Sequence, residues 1–244
     1  MQPFTYFIAD LHLSAERPDI FQCLSHFLNT QAIAADALYV LGDLFEYWIG
    51  DDDDSPFNQQ VAKAFKQLAE RGVAVYFIHG NRDFLIRRNF AKKAGMTLLP
   101  ESIVVDLYGT PTLLMHGDEL CTRDVVYQNF RRKARGWWWP RLMLSLPLFV
   151  RRNIAEKGRK KSKQNHTGLT MEIMDVTPDA VIETMAQHQV TRLIHGHTHR
   201  PAIHDISVNG QAAQRIVLGD WYEQGSILKV SRDACDLFSQ QFSQ

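Results

Sequence analysis

The feature that most constrains this chain is a pattern met five times. A short apolar run stops at a histidine, aspartate or asparagine, in four of the five cases with a glycine alongside. Leu38-Tyr39-Val40-Leu41 ends in Gly42-Asp43, and Phe7-Ile8-Ala9 leads into Asp10-Leu11-His12. Val75-Tyr76-Phe77-Ile78 leads into His79-Gly80-Asn81-Arg82-Asp83. Leu113-Leu114-Met115 leads into His116-Gly117-Asp118, and Leu193-Ile194 into His195-Gly196-His197-Thr198-His199. Apolar runs of this length, broken by turn residues, read as buried strands. In open α/β sheets ligands bind beyond the carboxyl ends of the strands, which is where these polar residues fall. Asp43 is taken as the centre, because a carboxylate has two oxygens and can bridge two metal ions.

The 244 residues suffice for one large α/β unit, expected over 1–244, or for such a unit with an insertion. The three cysteines, Cys23, Cys121 and Cys235, are odd in number and far apart. They argue against a disulfide framework and fit a reducing cytosol. The first residues lack a basic n-region, and Asp10 and His12 interrupt their apolar run, so no signal peptide is expected. No apolar window is long enough for a transmembrane helix. The expected location is cytoplasmic.

Formal net charge is zero, but twelve Lys and Arg fall between Arg131 and Lys163 against one acid, Glu156. Such segregation points to an anionic partner: phosphate, nucleic acid or acidic lipid. The same stretch holds Trp137-Trp138-Trp139 and the apolar block Leu142 to Phe149. Residues 119–177 therefore read as a helical insertion on the ligand side of the sheet. The run Asp51 to Asp54 reads as a solvated acidic loop.

Local patterns supply the scaffold. Helices are expected from Pro18 to about Thr30, with Cys23 in its packed face, from Pro56 to a stop at Gly72, and from Pro178 to Gln189. Asp83 is expected to N-cap a further helix ending near Gly95. Residues 102–108 and 112–115 read as a hairpin, as do the strands flanking Asn209-Gly210. Asp10 and His12 are two apart, as are His197 and His199. On an extended backbone that spacing puts each pair on one side.

Asp10, His12, Asp43, Asn81, His116, His197 and His199 are all oxygen or imidazole donors. The set favours Mn²⁺, Fe²⁺ or Zn²⁺ over soft metals. Seven donors exceed one tetrahedral site and suit two ions sharing a carboxylate, the arrangement that clamps an in-line phosphoryl displacement.

These motifs, in this order, resemble the calcineurin-like metallophosphoesterase superfamily. The resemblance implies a four-layered α/β/β/α sandwich, here carrying the helical insertion as a lid. It implies one metal held by Asp10, His12, Asp43 and His199, and a second by Asp43, Asn81, His116 and His197. Asp43, Asn81, Arg82 and His116 are the expected catalytic residues. Many members have Gly-Asn-His, whose histidine helps the leaving group depart, where this chain has Gly80-Asn81-Arg82. Arginine cannot give up its proton. It grips phosphate oxygens instead, and a phosphate leaving group needs no general acid. The sequence thus argues for a diphosphate linkage.

Within the superfamily nearly the whole chain is similar to the bacterial UDP-2,3-diacylglucosamine diphosphatases of lipid A synthesis, through residues 8–13, 42–48, 79–84, 115–118 and 194–201. This implies hydrolysis of a UDP-linked diacylated glucosamine lipid to UMP and 2,3-diacylglucosamine 1-phosphate with two Mn²⁺, water attacking the UMP-side phosphorus. Asn81, Arg82, Asp124, Ser162, His166 and His197 align with substrate contacts. At His166 and Leu169 the family's polar residues, Asn-like and Lys-like, are replaced. The insertion's cations and apolar residues suit acyl chains, a diphosphate and peripheral docking on the anionic lipid of the inner membrane. No nucleic acid and no obligate protein partner are expected. The competing reading is a nuclease or cyclic-nucleotide phosphodiesterase on the same metals.

Overall fold

The protein is described by a computed structural model that covers residues 2–166 and 175–242, with the side chains of 161–166 left out. Its strands form two sheets. In chain order the first strands are β1 (Phe4–Ile8), β2 (Ala37–Leu41), β3 (Ala74–Ile78) and β4 (Met96–Leu98). Then come β5 (Ser102–Leu107), β6 (Thr110–Met115), β7 (Arg192–His195), β8 (Ala202–Val208), β9 (Gln211–Val217), β10 (Gln224–Ser231) and β11 (Cys235–Gln241). One sheet runs β11-β10-β1-β2-β3-β4 and the other β5-β6-β7-β9-β8. β1 to β4 are parallel, as are β6, β7 and β9.

Three helices, α1 (Pro18–Thr30), α2 (Pro56–Glu70) and α3 (Arg88–Ala94), belong to the first sheet. Three more, α4 (Val125–Ala134), α5 (Trp139–Ser145) and α6 (Leu148–His166), lie within the expected insertion, and α7 (Pro178–Gln187) follows. The apolar runs are continuous because their strands are covered on both faces. Tyr6, Ile8, Leu38, Val40, Val75 and Phe77 pack with α1, α2 and α3. Their neighbours Phe7, Leu41 and Ile78 turn the other way and meet Leu114, Ile194 and Ile216 of the second sheet. Leu113, Met115 and Leu193 pack against Val181 and Met185 of α7. Three apolar spaces separate four layers, helices, sheet, sheet and helix, as expected. Cys23 is buried in α1, also as expected.

Other expectations are corrected. Asp83 does not cap α3. The backbone N–H groups of Arg87 and Phe90 donate to the Asp51 carboxylate instead, at 3.0 and 2.9 Å. Nor is Asp51 to Asp54 simply solvated. Asp52 pairs with the buried Arg151, Asp53 lies 3.5 Å from Arg152, and Asp54 is 3.0 Å from Lys93. The acidic run is the seat on which α6 rests. Five of the twelve cations of the basic segment are accordingly paired with acids within the protein. Arg131 reaches Asp118, Glu101 and Glu119, Arg135 reaches Glu101 and Asp118, and Arg159 reaches Glu46.

The block from Leu142 to Phe149 is divided. Met143 is buried, and Leu144 and Leu146 pack against the core, whereas Leu142 and Phe149 are exposed. The strands β4 and β11, one at each edge of the first sheet, carry no turn-bounded apolar run and were not legible in the sequence.

Candidate metal centre

The carboxyl ends of β1, β2, β3, β6, β7 and β9 converge on one edge of the two sheets, and all seven expected donors gather there. Five of them, Asp10, His12, Asp43, His197 and His199, have left-handed backbones, with φ between 50° and 69°. Such a conformation costs a non-glycine residue about 1–3 kcal/mol and persists only where its surroundings hold it. Those surroundings are visible. Asp10 N–H donates to Gly42 O, His12 N–H to Asp43 O and His197 N–H to Asp10 Oδ2, at 2.8–3.1 Å. Arg82 N–H donates to Asp43 Oδ1 at 2.8 Å. Gly80 and Gly196 complete the packing, because a Cβ on either would overlap the Asp43 or Asp10 carboxylate.

The extended-strand argument for the spaced pairs is corrected by these backbones. Asp10 and His12 do meet in one cluster, but through left-handed turns. His197 and His199 separate into two. His199 Nε2 is 3.5 Å from Asp10 Oδ1 and 3.3 Å from His12 Nε2. His197 Nδ1 and His116 Nε2 each stand 3.0 Å from Asn81 Oδ1. Donor atoms of Asp10, His12 and His199 lie within 4.8 Å of one another, and so do those of Asp10, Asp43 and His116. In these two groups Asp10 is the common carboxylate, the place the resemblance gives to Asp43.

The electrostatics suit a cation. Asp10 Oδ1 is buried and has no hydrogen-bond donor, a costly state for a carboxylate. Burial pushes His12 well down, and burial together with His116 pushes His197 down to about 3, so both are neutral imidazoles with a lone pair to offer at neutral pH. Burial would raise Asp10, but His199 standing 3.5 Å away, with the fields of His116 and His12, outweighs it and holds the carboxyl well below its usual range. Asp43 is raised by burial. Oxygen and imidazole donors, two buried carboxylates and one orphaned oxygen fit hard or borderline divalent metal ions.

A model of the calcineurin-like phosphoesterase family matches residues 5–201. The chain is 55% identical over 240 residues to UDP-2,3-diacylglucosamine hydrolase of Photobacterium profundum, covering 98% of each. It is 54% identical over 233 residues to the same enzyme of Escherichia coli O7:K1, covering 96% of this chain and 97% of the other. The chain belongs to the UDP-2,3-diacylglucosamine hydrolase family of calcineurin-like phosphoesterases. Membership carries with it divalent metal ions, in agreement with the donor set. Among solved structures, an archaeal phosphodiesterase superposes with a TM-score of 0.51 at 12% identity, covering 97% of this chain and 99% of that one. That likeness speaks for the fold alone.

Around the donors this phosphoesterase places residues to which sequence reasoning gave no role at the site. Asp83 is fully buried and accepts from Gly80 N–H at 2.8 Å and Leu44 N–H at 2.7 Å, tying the loop that carries Asp43 to the loop that carries Asn81. Burial and the charge of Asp43 push it up to about 7. Asp220, just past β9, is 3.3 Å from His199 Nδ1. Tyr222 stacks on His12 with ring centroids 5.1 Å apart. Asp118 accepts from Tyr127 Oη at 2.5 Å and Arg131 Nε at 2.8 Å, and Tyr127 stacks on His197. Arg135 donates to Gly80 O at 2.9 Å. The helix α4 is thereby fastened beside the donors. The sequence signal for Asp118 and Asp220 was present, since each follows a glycine at the end of a strand.

Arg82 lies at the mouth of the site, its Nε 4.0 Å from Asp43 Oδ2. Asp124 N-caps α4 through Tyr127 N–H at 2.9 Å. Leu169 and the side chains of Ser162 and His166 lie outside the described residues. His195 is buried beneath the site, where burial lowers it to about 4, and its Nδ1 is 2.8 Å from Gly196 O.

Proposed function

We propose that the chain hydrolyses the diphosphate linkage of UDP-2,3-diacylglucosamine to UMP and 2,3-diacylglucosamine 1-phosphate, using two Mn²⁺ ions. Asp10, His12, Asp43 and His199 would hold one ion, and Asp43, Asn81, His116 and His197 the other. Bound divalent ions supply Lewis acidity toward phosphoryl oxygens and a water made nucleophilic at neutral pH. The observation that carries the choice of substrate class is Arg82 beside Asn81 at the mouth of the donor cluster. Its guanidinium can bind phosphate oxygens and cannot donate a proton, which suits a leaving group that departs as a phosphate. Relatives more than half identical over nearly the full chain carry the name of that hydrolase.

The insertion supports the lipid half of the reading. The six most exposed large apolar side chains among the described residues are Val125, Val126, Phe130, Trp137, Leu142 and Phe149, all in 119–177. Lys133 and Lys157 are exposed nearby. A surface of this kind suits acyl chains and the anionic face of the inner membrane, with the enzyme attached peripherally. Among the described residues no helix is long and apolar enough to cross a membrane. Asp124, Ser162 and His166 are further substrate contacts on this reading, and 119–177 acts as the lid of one unit spanning 1–244.

The test is a side-by-side assay of the purified protein with Mn²⁺ on UDP-2,3-diacylglucosamine, UDP-N-acetylglucosamine and a generic phosphodiester. Preference for the first, with UMP released, is expected. Comparable turnover of the phosphodiester would overturn the assignment.

A further inference from the structure

The metal edge and the insertion meet at a side chain outside the donor set. Glu46 lies three residues beyond Asp43, in the loop after β2. Its N–H donates to Leu13 O at 3.1 Å, stitching this loop to the one that carries His12. The residue is only 9% exposed, and four groups close on its carboxylate. Oε2 is 3.4 Å from His12 Nδ1 and 3.4 Å from Tyr222 Oη. Oε1 is 3.4 Å from Arg82 Nη1 and 2.7 Å from Arg159 Nη2.

Two arrangements are combined here. The first concerns His12. Its Nε2 faces His199 and the donor cluster, while its buried Nδ1 makes no hydrogen bond and has the Glu46 carboxylate 3.4 Å away. An imidazole that ligates through one nitrogen commonly gives its other N–H to a carboxylate, which fixes both the tautomer and the ring. The second concerns the two arginines. Arg82 comes from the loop after β3 and Arg159 from α6, yet both point at the same oxygen. One carboxylate oxygen cannot satisfy two guanidinium forks, so each keeps donors for an anion with more oxygens. The helix α6 is held elsewhere by Arg151, whose guanidinium pairs with Asp52 and donates to Ile49 O at 2.6 Å. Arg152 lies 3.5 Å from Asp53, and Arg159 is a further tie, about two turns along.

We propose that Glu46 is a positioning residue that sets α6 and the metal edge in register. It turns His12 toward the metal and holds Arg82 and Arg159 together beside the centre, where an arriving diphosphate draws on both. It touches no reacting atom. The part concerning the diphosphate rests on the function proposed above, whereas the parts concerning His12 and α6 do not.

The test compares Glu46→Ala, Glu46→Gln, Arg159→Ala and the Glu46→Ala/Arg159→Ala double variant. Mn²⁺ affinity is measured by chelator competition on metal-stripped protein, and amide hydrogen exchange is followed over residues 153–160. In Glu46→Ala the metal affinity should fall about 10–100-fold. Glu46→Gln should lose less, because an amide oxygen remains beside His12 Nδ1, and its unchanged shape keeps the test open should the alanine variant fail to fold. Exchange over 153–160 should rise in each single variant and no further in the double one. With UDP-2,3-diacylglucosamine, KM should rise by a larger factor than kcat falls. Metal affinity within twofold of the parent in Glu46→Ala, or strictly additive exchange in the double variant, overturns the proposal. A parent enzyme inactive on UDP-2,3-diacylglucosamine would sink the proposed function instead, and the affinity and exchange arms would still decide the role of Glu46.

Discussion

The metal edge and the insertion use charge in opposite ways. At the edge, buried carboxylates and imidazoles are crowded together, and one oxygen, Asp10 Oδ1, makes no hydrogen bond, with His199 Nε2 3.5 Å away. Five of the seven donors sit on left-handed backbones held by neighbouring loops. Several polar groups there lack a hydrogen-bond partner within the protein, as suits donors to a cation. Among the described residues of the insertion, five arginines are ion-paired while several large apolar side chains stand exposed. Arg131, Arg135, Arg151 and Arg159 spend their charge on Asp118, Glu101, Asp52 and Glu46, while Val126, Trp137 and Phe149 are 76%, 78% and 69% exposed. The difference shows that a basic segment need not be a polyanion groove. Here the arginines mainly anchor helices, and the surface left to be covered is apolar.

The contrast is tested most severely at its centre. Asp43→Ala should abolish both metal retention and turnover, because it removes a carboxylate within reach of His116 and of the Asp10 cluster. A variant that still binds two Mn²⁺ per chain at near-parental rates would break the two-metal account. Metal analysis with initial rates gives the answer.

Arg82→Ala should lower diphosphatase activity by about 10²–10³-fold, the usual loss when one transition-state donor is removed, with metal content intact. Metal analysis beside kcat/KM separates the cases. Loss of metal before activity would make Arg82 structural, acting through its N–H on Asp43 rather than through its guanidinium.

A third prediction concerns the anchors. Asp118 is buried, and although burial would raise its carboxyl, Arg135, His116 and Arg131 hold it below the usual range. Because the folded state binds this proton less readily than the unfolded chain, the contribution to stability is full above the unfolded value of about 3.9 and is lost as pH falls through the folded value. Asp118→Asn should therefore cost about 3–5 kcal/mol at pH 7, the penalty for breaking a buried pair. It should also lose less further stability than the parent between pH 5 and pH 3. Urea midpoints across that range test both statements. Equal acid sensitivity would remove Asp118 as the anchor.

The smallest effect on the fold is expected from Trp137→Ser with Phe149→Ser. Both side chains are largely exposed, so stability should move by no more than about 0.5 kcal/mol for each substitution, with metal content unchanged. Sedimentation with vesicles containing anionic phosphatidylglycerol should show binding reduced several-fold. Unaltered binding would detach the exposed apolar surface from membrane docking.

The sequence by itself marked the strand ends and the candidate donors on them, and the family resemblance those motifs carry implied the sandwich. Apolar runs that end in Asp, His or Asn are a local signal, since strand, turn and ligand are all encoded within a few residues. The pairs Gly42-Asp43, Gly80-Asn81 and Gly196-His197 could therefore be read one at a time. Only the tertiary structure decided what lies behind the donors. Glu46, Asp83, Asp220 and Tyr222 carry ordinary residue types in ordinary loops, and their contacts join distant segments, as between Glu46 and Tyr222, 176 positions apart. Asp83 shows the limit most plainly. Five residues before α3 it reads as a cap, yet the cap is Asp51, because the loop after β2 passes over the N-terminus of the helix. The acidic run and the basic segment were each visible, but not that they face one another. Charge sums are additive along the chain, whereas pairing depends on which helix lies over which loop, and the packing of the layers sets that.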